Sequence, residues 1–470
     1  ICRPYCCQSF IGKVTRMKLK VLALAVGLCS FSAISSPWID AEEAQLKHSI
    51  DLLVSHNLIN RPVNQYPLLW RGLVQDISAI DNDKVPESAQ FALAHVKHAL
   101  AVAKQKQRSS IKAFYNQEPE LREGLGERKG AKSGVKTFGQ ITSKDVSAKV
   151  QVNYTDDAID GKYINHYGSH VAVLFDNWSA SIEQLNYWWG PSNEQALLLS
   201  NHAAPMKALR LSRANSDYQG PSFLSFIGPW QMTAIAAKQK PTLATKKEGD
   251  FWGLRLSSMP ITGLEIAFSS TSSDFIYKLD PQNPELQSKQ RLTSLDAKYS
   301  SVFQGLPFAI YAELAGENDS GLLPSNSSHT FGIESHLSDM NYRAKGFIEF
   351  SDTKVDCQAE QASFQCNFAT TNQGADYMQR GQWLGAAMGP QASSITIGVD
   401  YYRLSGFGGY AKLKQLEFES LDLDRTLLEI GYQQGLLTGL GKLGLSVWKD
   451  KLQTDSETHS AVSASWEIQF

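Results

Sequence analysis

The chain has 470 residues, of which 42% are apolar and 20% charged, a balance that excludes disordered and collagen-like proteins. This length accommodates two or three ordinary domains, or one large barrel with an accessory piece. Five basic residues and no acidic one lie within residues 1–35, so the rest of the chain has 40 basic and 47 acidic residues. That net charge of −7 does not favour nucleic-acid binding, which requires clustered positive charge.

The N-terminal residues have the pattern of a secretory leader. A short basic start at residues 17–20 is followed by an apolar core at 21–31 and by small residues at 33–35. We therefore expect export, with cleavage before Ser36. Residues 1–16 are interpreted as upstream sequence without a structural role, and translation is expected to start at Met17.

Residues up to about 140 have helical periodicity. Residues 40–43 have the form of a capping box, Pro86 is placed as a first helical residue, and residues 66–70 indicate a turn into a short helix. Two apolar stripes mark the main helices: Leu46, Ile50, Leu53, Val54 and Leu58, then Leu93, Val96, Leu100 and Ala103. We interpret these stripes as packing faces, with a partner-binding surface as the alternative. The charged residues 122–136 indicate a linker, so residues 36–140 are predicted to form a helical bundle with its linker.

From about Ser147 onward the period changes to two. At the end of the chain one strand face is apolar and finishes on an aromatic residue: Val462, Ala464, Trp466, Ile468 and Phe470. No apolar run of about 18 residues follows the leader, so a membrane-spanning form of this chain has to be a barrel. A soluble sandwich is the alternative. Alternation over roughly 320 residues favours an outer-membrane antiparallel β-barrel of about 16–18 strands at residues 141–470.

Polar stretches mark candidate extracellular loops at residues 214–220, 238–249, 280–289, 317–329 and 351–373. After the leader only Cys357 and Cys366 remain, and both fall in the last of these stretches. In an exported chain this pair favours one disulfide across a loop, with two unlinked thiols as the alternative.

Motifs for catalysis, metals and cofactors are absent from the sequence or lie in the wrong context. No His-Glu-x-x-His spacing and no Gly-x-Ser-x-Gly elbow occurs. Residues 439–444 match the dinucleotide-binding glycine pattern, but they lie in an alternating strand with no helix after it. The carboxylate pairs at Asp156 and Asp157, and at Asp422 and Asp424, are interpreted as loop or lumen residues. We therefore predict no enzyme activity, no metal and no cofactor.

The most distinctive stretch of the sequence is residues 185–194, which contains Trp-Trp-Gly-Pro at 188–191. It is followed by Ser-Asn-x-Ala-x-Pro-Met at 200–206 and by a strand that ends at Arg213. Together with residues 37–39, 66–70 and 377–385, this pattern resembles the Wzi-type capsule assembly family over nearly all of the chain after the leader.

The resemblance implies a helical bundle that faces the periplasm, joined to an outer-membrane barrel of about eighteen strands. It implies a non-enzymatic lectin that holds group-1-type capsular or related extracellular polysaccharide at the cell surface. The implied partners are this polysaccharide, outer-membrane lipid and the polysaccharide export machinery, and no nucleic acid. A passive porin is the alternative from another class, and an enzyme acting on the polysaccharide through two carboxylates is a third possibility.

Sugars stack on aromatic rings and need fixed polar partners for their hydroxyl groups, and acidic sugars add a use for arginine. One dense set of residues offers all three features: Tyr187, Trp188, Trp189, Asn193, Asn201, His202, Arg210 and Arg213. We predict that these residues bind polysaccharide. The alternative is that the Trp-Trp-Gly-Pro segment shapes a tight turn, with its aromatic side chains at the membrane interface or under the bundle.

Overall fold

A computed structural model describes residues 37–119, 124–241, 248–277, 286–317, 323–355, 377–452 and 455–470. Antiparallel strands close into a barrel, and N-terminal helices together with a long inserted loop lie inside it. The predicted disulfide cysteines, Cys357 and Cys366, lie outside the described residues, so their pairing stays a prediction.

Eighteen strand positions close the barrel, which confirms the predicted fold class. The fourth strand is interrupted, and both of its parts pair with the third. In chain order the strands are β1 Gln107–Asn116, β2 Ala131–Thr142, β3 Val146–Ala158, β4 Ile164–Asn165 with His170–Phe175, β5 Trp178–Glu183, β6 Lys207–Arg213, β7 Trp230–Gln239, β8 Gly249–Ile261, β9 Leu264–Tyr277, β10 Leu286–Phe303, β11 Leu306–Glu317, β12 Ser325–Ser338, β13 Tyr342–Asp352, β14 Ala392–Arg403, β15 Gly408–Phe418, β16 Leu423–Leu436, β17 Gly439–Leu452 and β18 Asp455–Gln469.

The last strand closes the barrel by pairing with the first, from Ser463 opposite Asn116 to Gln469 opposite Ser110. Along the strands, apolar side chains predominate on the outer face and polar side chains on the lumen face. On β13, Ile348 is 50% exposed on the outer wall, whereas its neighbour Glu349 is 1% exposed in the lumen. An apolar outer wall around a polar interior is the arrangement of a barrel in a lipid bilayer. Closure suits that environment because lipid offers no hydrogen-bond partner to an open strand edge.

The predicted boundary at residue 140 is wrong, because the barrel begins at Gln107. The stretch predicted as a linker ends within β2, where Gly134, Lys136 and Gln140 face the lumen side of the sheet. On the outer face of β2, Thr137 and Gly139 interrupt the apolar positions. The sequence of this strand has too few alternating apolar residues to be distinguished from a polar loop.

Three helices precede the barrel: α1 Ala44–Ser55, α2 Trp70–Ala79 and α3 Glu87–Ala103. Their apolar stripes pack together, and Ile50, Leu73 and Val96 are fully buried. Two details of the prediction are wrong. The residue that caps α1 is Glu43, without a side-chain capping bond, and Pro86 precedes α3 instead of being its first residue. Within the described chain, none of the helices has the length and apolar character needed to cross a membrane.

The helices, with residues 37–43 and the connections between them, form a plug at one end of the lumen. At this end, His48 of α1 lies 3.1 Å from Asp400 of β14, and Phe91 of α3 packs against Tyr402. Most connections between strands at the plug end are short turns, at residues 143–145, 176–177, 262–263, 304–305, 339–341, 404–407 and 437–438.

The strand ends that adjoin four of the five stretches predicted as extracellular loops lie at the opposite end. The exception is 214–220. It belongs to the connection between β6 and β7 at the plug end, so that stretch was assigned to the wrong end. Its polar composition resembled that of the other loops, and only the pairing of the strands distinguishes the two ends.

Candidate functional site

Residues 184–206, between β5 and β6, fold into the lumen from the end opposite the plug. We call this segment the inserted loop. Trp188 and Trp189 pair with Tyr66 and Gln65 as a short antiparallel ladder, so the inserted loop and the plug meet inside the barrel. The three leucines at 197–199 are at most 1% exposed. The two segments together therefore fill much of the lumen.

The predicted aromatic ligand residues are buried in this filling. Tyr187, Trp188 and Trp189 are each at most 3% exposed. The hydroxyl of Tyr187 donates to Glu183 over 2.6 Å, and the indole N–H of Trp188 donates to the carbonyl of Ser192 over 3.1 Å. The polar atoms of Tyr187 and Trp188 already have partners within the protein, and all three rings pack against protein rather than an open surface.

The predicted arginines also have internal partners. Arg210 forms a bidentate pair with Glu183, at 2.9 and 3.0 Å, and stacks on the ring of Trp38. Arg213 donates to the carbonyl oxygens of Trp230, over 2.6 Å, and of Asp217, over 2.7 Å. The contact of Arg210 joins β6 to β5, and the contacts of Arg213 join β6 to β7 and to the connection that leads to it.

Asn193 lies deep in the lumen, where its side-chain amide donates to Tyr311 and Glu334 and accepts from Lys345. Asn201 donates to the carbonyl of Gly126 over 2.5 Å, and the carbonyl of His202 accepts from Arg128 over 2.9 Å. The structure thus spreads the eight predicted residues over several environments. Asn201 and His202 line a small surface hollow, and Asn193 lines a larger cavity described below; ligand binding by the eight remains a prediction.

Sequence reasoning missed a set of wall glutamates that hold the inserted segments through their backbone. Glu349 accepts backbone N–H groups of three successive residues of the inserted loop, 193–195, at 2.7 to 3.1 Å. Glu265 accepts the N–H groups of Val63 and Asn64, and Glu313 accepts that of Leu197. In the sequence, each of these residues is a carboxylate on the polar face of an alternating strand. The neighbouring residues do not indicate that the carboxylate accepts backbone N–H groups from a distant part of the chain.

A buried ionic network ties α1 to the wall. Asp51 lies 2.7 Å from Lys47 on its own helix and 3.2 Å from Lys298 on β10. Lys298 and Lys345 then share Glu334, at 2.6 and 2.8 Å. Burial alone would raise the pKa of the Asp51 carboxyl, but Lys298 and Lys47 hold that pKa well below its usual range. Burial lowers the pKa of Lys47 to about 8.

A cavity of about 390 Å³ remains between the filling and the wall strands near the closure of the barrel. We call it the seam cavity. Its lining includes Phe114 and Tyr410, the carboxylates Glu127 and Glu194, and several lysines. A smaller cavity of about 70 Å³ shares Phe114, Arg128 and Lys136 with it. The volume of the seam cavity is at the lower end of the range for small-molecule sites.

Two lumen-facing aromatic rings of the seam cavity lie against glycines on the next strand. Tyr410 is directly opposite Gly431, and Phe114 is opposite Gly134. A Cβ atom at Gly431 would lie 2.0 Å from the Tyr410 ring, and one at Gly134 would lie 2.9 Å from the Phe114 ring. The glycines therefore let each ring lie close against the wall.

Catalytic and metal centres find little support among the described residues. The paired carboxylates Asp156, Asp157, Asp422 and Asp424 are exposed near strand ends. Across the described ranges, no group of three or more His, Cys, Asp or Glu side chains is arranged to hold a metal ion.

Comparison with known proteins gives consistent matches. Residues 103–273 and 283–407 match the family described as capsule assembly protein Wzi. An uncharacterized 55.8 kDa protein in the cps region of Klebsiella pneumoniae is 24% identical over 365 residues, which cover 73% of this chain and 71% of that protein. A solved structure matches with a TM-score of 0.77 and 20% identity, covering 94% of this chain and 100% of the other. It is that of Wzi, an outer-membrane protein involved in group 1 capsule assembly in Escherichia coli and a carbohydrate-binding β-barrel. This chain belongs to the Wzi family of capsule assembly proteins.

Proposed function

We propose that the protein is a non-enzymatic outer-membrane lectin that binds capsular or extracellular polysaccharide and anchors it at the cell surface. Family membership supports a role in capsule assembly. The solved structure from Escherichia coli, which has the same fold, is that of a carbohydrate-binding barrel. We assign the same class of ligand to this chain.

The proposed orientation places the plug in the periplasm. Bacterial barrels have short turns on the periplasmic side and longer loops outside the cell. Here the short turns and the plug share one end, and the barrel strands at both chain ends, β1 and β18, begin or end there. The longer connections would then face the polysaccharide outside, after export through the cleaved leader.

The observation that carries the proposal is the filled lumen. A passive porin needs a continuous aqueous path, whereas here the inserted loop and the plug meet at Trp188 and Tyr66. Wall glutamates and the Asp51 network fix both segments by hydrogen bonds and ion pairs. A barrel filled in this way is suited to present a binding surface rather than to conduct solutes.

Deleting the gene and comparing cell-bound with released polysaccharide tests this proposal. We expect total polymer to change little and the bound fraction to fall, with recovery when the wild-type gene is restored. Retention that does not change after deletion would contradict the lectin function.

A further inference from the structure

Two carboxylates from connections between barrel strands each lie between two lysines of the barrel wall. Glu127, which precedes β2, is paired with Lys112 of β1 and Lys136 of β2, the latter at 3.1 Å. Glu194 of the inserted loop lies 2.7 Å from Lys412 and 2.7 Å from Lys414. Each lysine pair is therefore a preformed carboxylate receptor, and the protein itself supplies the bound carboxylate.

The two receptors differ in access. The side chain of Glu194 is 2% exposed, so its carboxylate is largely covered by protein although it also lines the seam cavity. The side chain of Glu127 is 26% exposed, and it lines the seam cavity together with Lys136. Rotation of the Glu127 side chain alone would free Lys136 toward that cavity and would leave Lys112, which is 6% exposed, without this carboxylate partner.

The surroundings of the Lys112 and Lys136 pair offer what a sugar ring requires. The ring of Phe114 lies beside it, with the Lys136 ammonium group 5.2 Å from the ring centroid. Ser463 and Ser465, opposite Asn116 and Phe114 on the closing strand, add hydroxyl groups to the same lining. An aromatic face, hydroxyl partners and paired cations together fit a saccharide that carries a carboxylate.

We propose that the Lys112 and Lys136 pair, of which Lys136 lines the seam cavity, is a binding subsite for a uronate residue of the polysaccharide, and that Glu127 occupies it until the ligand carboxylate displaces it. This inference rests on the proposed polysaccharide binding and names the sugar class and the position. The exchange forms and breaks only ion pairs and hydrogen bonds.

Electrostatics at Glu127 support a true competition. Burial alone would raise the pKa of Glu127, but Lys112 and Lys136 hold that pKa well below its usual range. The side chain is therefore a carboxylate at neutral pH and has the same charge as the proposed ligand group.

The test measures binding of two trisaccharides to the purified, detergent-solubilised protein by calorimetry. One probe is β-1,4-linked triglucuronate, and cellotriose is its neutral counterpart with the same linkage. In Glu127→Gln the lysines lose their internal carboxylate, and we expect affinity for triglucuronate to rise about tenfold or more. Lys112→Gln should abolish the preference for triglucuronate over cellotriose. Glu417→Gln, which removes an exposed carboxylate paired with Lys354, is the matched control and should behave as wild type.

Equal triglucuronate affinity in the wild type and in Glu127→Gln would overturn the subsite. So would an equal rise in the affinity of Glu127→Gln for triglucuronate and for cellotriose. If Glu127→Gln does not fold, Lys112→Gln decides the outcome, because a retained uronate preference in that variant also refutes the inference. Cell-bound polymer in the deletion experiment tests the lectin function separately. If deletion of the gene lowers the amount of cell-bound polymer but the purified protein shows no preference for triglucuronate, only the subsite is refuted.

Discussion

Single glutamates on the barrel wall decide how the inserted loop is held. Glu349 accepts three successive backbone N–H groups and the hydroxyl of Tyr311, so one carboxylate satisfies four donors. The residues that carry these donors are at most 7% exposed, and an unpaired buried N–H group is costly. The side chain is therefore a structural anchor for residues 193–195.

We expect Glu349→Gln to loosen the inserted loop, because the amide N–H₂ that replaces one oxygen cannot accept a hydrogen bond. Losing a charge-assisted bond costs about 1.5–3 kcal/mol, so amide exchange at residues 193–195 should be about 10- to 100-fold faster. Hydrogen-exchange mass spectrometry measures this directly. Glu457→Gln, at an exposed site, is the control, and unchanged exchange in Glu349→Gln would show that the anchor is unimportant.

The eight predicted ligand residues also show what a sequence can identify at the residue scale. The density of Trp, Asn and Arg around 185–213 correctly marked an unusual segment. It could not show that Tyr187 and Arg210 satisfy Glu183, because a buried aromatic and a sugar-stacking aromatic have the same local sequence. The Lys112 and Lys136 pair escaped notice because its members come together only through strand pairing.

At the scale of elements, α1 is docked by charges rather than by apolar contacts alone. Removing one member of a buried ion pair leaves its partner uncompensated, at a cost of about 3–5 kcal/mol. We expect Asp51→Asn to free the plug while the barrel stays closed. Limited proteolysis should then cleave within residues 37–103 and leave the strands intact. Asp83→Asn, on an exposed turn, should match wild type; equal resistance of Asp51→Asn would contradict ionic docking.

Two plug histidines predict a pH dependence of docking. Burial lowers the pKa of His48 and of His95 to about 4, below the ordinary value of 6.5. The docked plug binds a proton on these histidines more weakly than the undocked plug does. Their contribution to the stability of docking is therefore complete above pH 6.5 and is lost as the pH falls toward 4. Proteolysis of the plug should therefore increase between pH 6.5 and 4.

A His48→Gln, His95→Gln variant supplies the control for that pH series. Its plug should respond less to acid, because neither side chain can take up a proton. If the variant and the wild type lose docking over the same pH range with the same steepness, other groups control the response.

The elements themselves were only partly predictable. The stripes of α1 and α3 and the alternation of the C-terminal strands reflect local periodicity, so they were evident in the sequence. β1 and β2 were not, because their lumen faces carry Lys112, Gly134 and Lys136, and charge with glycine usually indicates a loop. The insertion of residues 184–206 depends on partners such as Tyr66 and Glu349, which are far away in the chain.

The whole molecule is a closed wall around a filled lumen. This filling distinguishes the proposed lectin function from the alternative, a passive porin. We expect the wild-type protein to give no steady ionic current when reconstituted in a planar bilayer. The seam cavity lies between the wall and its filling and does not amount to a pore of porin width. Stepwise currents with the conductance of a large open porin would contradict the filled-lumen interpretation.

The most direct measurement of the central claim is co-sedimentation of native polysaccharide, purified from the producing cells, with vesicles that contain the protein. The account predicts that polymer sediments with these vesicles, not with protein-free vesicles, and is recovered at its original length. Failure of the polymer to sediment, or its recovery as shortened chains, would contradict a non-enzymatic lectin.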